Sequence, residues 1–252
     1  IRNNVIYDCG GAGIYINLYN DSIADSNTVY DVRGNGVVFS GSISGNSFNN
    51  TIKNNYIENV GGTGYRYYYN SHGGMINNTN MNSNGEHANG MTVYLNSDNI
   101  LIEDNHIENS NIALTFESCR DLEIRNNLFV GDGRVIAGWG GDYYDVDPHG
   151  IDIHHNTVRG SIYLSGSFQD VAIKDNIVHG VSYQESFDVT NNLYTDLVWN
   201  QNYNLQDYSE SLEEDIYSIF VDPDNGDYTL LGNDVGSPVV NPCTMSTIGS
   251  HV

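Results

Sequence analysis

One hexad recurs along most of this chain and constrains its fold more than any other feature: apolar, any, Asn/Asp/His, Asn, any, apolar. It opens the sequence as Ile1-Arg2-Asn3-Asn4-Val5-Ile6 and returns at 52–57, 102–107, 124–129, 153–158, 173–178 and 189–194. A degenerate copy runs through Asn27, Thr28 and Val29, and a further one is expected between Met75 and Met81. A second short apolar run precedes most copies, at 13–18, 36–39, 64–69, 90–95, 112–116, 135–137 and 162–164. Its period of two places alternate side chains on opposite faces of a strand.

Short strands at a regular spacing describe a solenoid. One turn cannot bury its apolar side chains alone, so turns stack and their interiors join into one long core. Asparagine suits the corners, because its amide can bond the same residue of the next turn and its backbone tolerates the left-handed conformation. The absence of helical periodicity excludes barrel and dinucleotide-binding folds that alternate strand and helix. The asparagines at 4, 27, 55, 105, 127, 156, 176 and 192 imply about eight or nine coils of roughly 22 residues.

This repeat resembles the one shared by pectate-lyase-like and related polysaccharide-active proteins, over roughly residues 1–194. The resemblance implies an all-β, right-handed parallel β-helix. Residues 195–252 contain Phe220-Val221-Asp222-Pro223-Asp224-Asn225-Gly226-Asp227 and Gly236-Ser237-Pro238. They are similar to the closing segment of secreted bacterial β-helix proteins, and are expected to cap the last coil within the same domain. The first residue falls in mid-repeat, so earlier coils are expected to be missing, leaving an edge open to self-association. A secreted, extracellular protein is the expectation.

The 252 residues carry nine Lys+Arg against 32 Asp+Glu, a formal charge of −23. A broad basic surface for nucleic acid or an anionic membrane is excluded, and an acidic polysaccharide would need a local cationic spot or a bound cation. No apolar run is long enough to span a membrane. Cys9, Cys119 and Cys243 are far apart, odd in number and without metal-ligand spacing, which predicts free, mostly buried thiols.

Two stretches exceed the repeat length, about 70–89 and about 138–149, and long structured loops on a rigid scaffold commonly carry function. They predict a cleft on the face between them. Alternation with Tyr65, Tyr67 and Tyr69 inward turns Arg66 and Tyr68 outward. With Met91, Val93 and Leu95 inward, Thr92 and Tyr94 point out, followed on the next coil by Thr115 and Glu117. Glu86, His87 and His72 lie on the first insertion. Trp139, Tyr143, Tyr144 and Tyr163 offer aromatic faces on which sugar rings stack.

Two chemistries fit this set. Elimination from a uronate takes a cation against the carboxylate, a base for the C5 proton and an acid for the leaving oxygen, roles open to Arg66, His87 and Tyr94. Glycoside hydrolysis takes two carboxyls, with Glu117 and either Glu86 or Asp142 as candidates. A glycan is the expected partner either way, with non-catalytic binding, as in an adhesive or tailspike-like β-helix, as the alternative. Asp142, Asp145 and Asp147 are candidate Ca²⁺ ligands. The turn from Asp222 to Asp227 is one residue short of the EF-hand spacing and reads as a cap turn. Arg2, Lys53, Glu103, Arg125, His154 and Lys174 share one hexad slot, predicting an outward column of mostly like charge.

Overall fold

The computed structural model of the chain describes residues 1–32, 34–42, 45–60, 67–69, 75–77, 89–110, 112–140, 148–182, 186–194, 220–222 and 227–230. Among them there is no helix, and 17 short strands stack around one apolar core. The strands form three parallel columns. The first joins Ile14–Asn17, Val37–Ser40, 91–94, 114–117, 136–139 and 162–165. The second joins Ile23–Asp25, 51–53, 97–103, 119–125, His149–His154, Gln169–Lys174 and Asp188–Thr190. The third runs from Val5–Tyr7 through Thr28–Tyr30, Tyr56–Val60, His106–Ser110, 128–130, 157–159 and 177–178 to Leu193–Tyr194. This is the parallel β-helix that the hexad predicts.

The hexad's third and fourth positions divide the work of the corner. At the third, Asn3, Ser26, Asn54, Asp104, Asn126, His155, Asp175 and Asn191 all hold φ between 53° and 56°. That left-handed conformation strains most side chains and is best tolerated by Asn and Asp. At the fourth, Asn4, Asn27, Asn55, Asn105, Asn127, Asn156, Asn176 and Asn192 form one ladder. Each Nδ2 donates to the next Oδ1 at 2.9–3.0 Å. The same Oδ1 accepts the backbone N–H of the preceding rung at 3.0–3.1 Å.

The rung from Asn55 to Asn105 spans 50 residues where its neighbours span 28 and 22. Here two sequence-based expectations fail. Of the run 64–69, the described Tyr67–Tyr69 is not a coil strand, because it pairs antiparallel with Met75–Asn77, and the column passes directly from Val37–Ser40 to 91–94. Met75–Asn77, where a further copy was expected, is accordingly one arm of that pair. Alternation alone cannot tell a coil strand from a hairpin arm, and neither run is followed by a ladder asparagine.

Inside, Ile14, Val37, Met91, Leu114, Ile136 and Ile162 stack in register beside Ile16, Phe39, Val93, Phe116, Gly138 and Leu164. Gly138 makes room for the Phe116 ring, since a Cβ there would lie 2.4 Å from it. Leu95 is not inward. Its φ of 58° turns the chain at the corner, and it is half-buried.

The charged slot also differs from expectation. Asp25 and Glu103 stand between its cations, and the neighbouring outward slot supplies Glu123 and Asp152. Arg2 pairs with Asp25 at 3.4 Å, Lys53 with Glu103 at 3.9 Å, and Arg125 with Glu103 and Glu123 at 2.8 and 2.9 Å. Lys174 pairs with Asp152 at 3.3 Å. The column is a salt-bridged network, not a strip of like charge. Cys9 and Cys119 are free thiols, the second fully buried with its pKa pushed up to about 12 by that burial. Cys243 lies outside the described residues. Phe220–Asp222 and Asp227–Leu230 pair antiparallel about the turn noted in the sequence.

Candidate functional site

The outward positions of the first column form two rows. One is Tyr15, Val38, Thr92, Thr115, Ala137 and Tyr163; the other is Asn17, Ser40, Tyr94, Glu117, Trp139 and Ser165. Parallel pairing holds neighbours in a row ~4.8 Å apart at the backbone, so Tyr94, Glu117 and Trp139 come from three consecutive coils. They line a small depression with Asn35, Thr92 and Thr115. Its room of ≈ 50 Å³ is small beside an enclosed ligand pocket of about 300–1,000 Å³. Such a surface suits a chain lying across the coils rather than a small molecule swallowed whole.

The threonines of the lining and Asn89 satisfy one another. Asn89 donates to Thr115 Oγ1 at 3.0 Å and to Thr92 Oγ1 at 3.4 Å, and the two hydroxyls lie 3.0 Å apart. Asn89 N–H donates to Asn35 Oδ1 at 3.1 Å. Glu117 differs. It has no hydrogen-bond or ion-pair partner among the described residues, and burial raises its pKa above the usual carboxylate value. A carboxyl that holds its proton more firmly than an exposed one suits a proton donor.

The structure joins three of the expected site residues, Tyr94, Glu117 and Trp139. Tyr163 lies in the adjoining row, with the Arg134 guanidinium 3.8 Å above its ring centre. Trp139 sits in the strand Leu128–Trp139 and His149 begins His149–His154, so the second insertion narrows to 141–147 beyond Gly140. The neighbours of Tyr94 in its row are Ser40 and Glu117, so Tyr68, which pairs with Ile76, is not in that row. Arg66, His72, Glu86, His87, Asp142, Tyr144, Asp145 and Asp147 lie outside the described residues. Asn35 and Asn89 were missed by sequence reasoning. Only the three-dimensional register brings Asn35 beside Asn89.

A second cluster, on the third column, was also missed. Tyr56 is in register with His106, and Glu58 with Glu108. The Tyr56 hydroxyl lies 2.9 Å from Glu58 Oε2 and 2.5 Å from Glu108 Oε1, and His106 Nε2 is 3.8 Å from Glu108. Burial and both carboxylates raise the Tyr56 pKa, while burial lowers that of His106. The signal was present: residues 55–59 read Asn-Tyr-Ile-Glu-Asn and 105–109 read Asn-His-Ile-Glu-Asn, aligned by the ladder.

Residues 1–158 match the family model for the right-handed β-helix region, and the chain belongs to that family. The solved structure described as the complex structure of XylC with xylose is similar at 16% identity and a TM-score of 0.48. The match covers 69% of this chain and 27% of that one. No curated protein matches the sequence.

Proposed function

We propose that the protein is a secreted polysaccharide-degrading enzyme that hydrolyses a glycan lying across the first column, with Glu117 donating a proton to the glycosidic oxygen. The observation that carries this reading is Glu117 itself, a half-buried carboxyl between Tyr94 and Trp139 with no hydrogen-bond or ion-pair partner among the described residues. Trp139 supplies a face for a sugar ring, and Asn35 supplies a side-chain amide. The second carboxyl that hydrolysis needs falls to Glu86 or Asp142.

Hydrolysis is favoured over elimination. Elimination needs a cation against the uronate carboxylate, and the described lining holds none. The cation in an elimination falls to Arg66, outside the described residues. Incubation with neutral and uronate polysaccharides separates the outcomes. New reducing ends without ultraviolet absorbance support hydrolysis, whereas unsaturated, absorbing ends mean elimination. The small size of the depression also favours a second reading, a glycan-binding β-helix without catalysis. Retention on immobilised glycan with no new ends from any substrate would establish that reading instead.

A further inference from the structure

Asn35 lines the depression from the coil of Val37–Ser40, two coils from Glu117 and three from Trp139. Its backbone is held on both sides. Asn35 O accepts from Gly13 N–H at 2.9 Å, and the next residue, Gly36, donates to Asn89 O at 3.0 Å. Gly36 packs so closely that a Cβ there would lie 2.5 Å from Gly90 O. The side chain is held too, because Asn89 N–H donates to Asn35 Oδ1 at 3.1 Å. A backbone N–H can only donate, so the bonded atom is the carbonyl oxygen of the Asn35 amide and not its nitrogen. That orientation leaves both Nδ2 hydrogens without a partner among the described residues, on a half-buried side chain of the lining. Thr92 and Thr115 offer no such donor, since they are buried and bonded to Asn89 and to each other.

Asn35 stands just before its strand, and Glu117 ends the paired run 114–117 two coils further on. At ~4.8 Å per coil and ~3.3 Å per residue their backbones are more than about 10 Å apart, beyond the length of one sugar. We propose that Asn35 is a specificity-determining residue of this site, donating its amide hydrogens to an oxygen of one sugar while Glu117 acts on the bond of another. The proposal rests on the reading that a glycan lies across the first column, and it names the substrate as the interior of a glycan chain rather than a mono- or disaccharide. A contact remote from the scissile bond is one that a short substrate forfeits. The donor is oriented before any ligand arrives, so binding has little side-chain freedom left to remove.

The test is calorimetry of the full chain with mixed-linkage β-glucan, mannan, arabinan and amylose, and with the hexasaccharide and disaccharide of whichever polymer it binds. The wild type is expected to bind the hexasaccharide at least tenfold more tightly than the disaccharide. Asn35→Asp keeps an oxygen for Asn89 N–H and loses both donors. It is expected to melt with the wild type and to bind the hexasaccharide about tenfold more weakly, the loss of a hydrogen bond made only with the ligand. Glu117→Gln is expected to keep wild-type affinity, which separates holding the chain from cleaving it. Wild-type affinity in Asn35→Asp, or a disaccharide bound as tightly as the hexasaccharide, overturns the proposal and leaves the reading of Glu117 standing. No binding of any of the four polymers by the wild type overturns both.

Discussion

Glu117 carries two consequences at the scale of a single side chain. Burial raises its folded-state pKa, so the folded chain is favoured while the carboxyl is protonated. Its contribution to stability is full below the ordinary carboxylate value and is lost as pH rises through the raised one. Glu117→Gln removes that loss. Thermal melts are expected to show the variant more stable than wild type at pH 7 and indistinguishable from it below the ordinary carboxylate value. A variant less stable at pH 7 would mean that ionised Glu117 has a partner. The same shift gives catalysis its sign, since a proton donor stops working as pH rises past its pKa, so the basic limb of the rate profile is assigned to Glu117.

At the scale of the element, the corner explains the hexad. The Asn127 side chain makes five hydrogen bonds: its amide donates to Ile102 O, Arg125 O and Asn156 Oδ1, and its oxygen accepts from Asn105 N and Nδ2. Asn127→Ala strands buried groups on three coils and is expected to cost about 3 kcal/mol in denaturant unfolding. Asn54→Ala, exposed at the third hexad position with φ of 53°, is expected to cost only about 1–2 kcal/mol, the strain of a left-handed alanine together with an exposed hydrogen bond to Asp25. Equal losses at the two sites would contradict this division of roles. The ladder was legible in the sequence rung for rung, because a buried amide that must bond its own kind leaves little choice of residue. The strand status of 64–69 was not, because alternation reports a face and not a neighbour. Tyr94 beside Glu117 was readable from the repeat, while Asn35 beside Asn89 depends on which coils a 50-residue rung brings together.

The chain carries a charge of −23, and its described cations are already engaged. Arg2, Lys53, Arg120, Arg125 and Lys174 meet carboxylates, and Arg134 lies over Tyr163. Excess negative charge opposes the compact state and salt screens it. The Tm is therefore expected to rise between low ionic strength and 0.5 M sodium chloride, a concentration at which the Debye length falls to about 4–5 Å. A fall would mean that the salt bridges outweigh the self-repulsion. The same charge bears on the partner, because a polyanion would approach against this field, whereas a neutral glycan would not.

The central claim is that Glu117 acts on a glycan held across the first column. The most direct measurement is the initial rate of reducing-end release by Glu117→Gln against wild type, on whichever polysaccharide the wild type cleaves. The rate is predicted to fall by about 10²–10⁴-fold, with binding of the intact polysaccharide retained. A Glu117→Gln rate equal to that of the wild type would contradict the account.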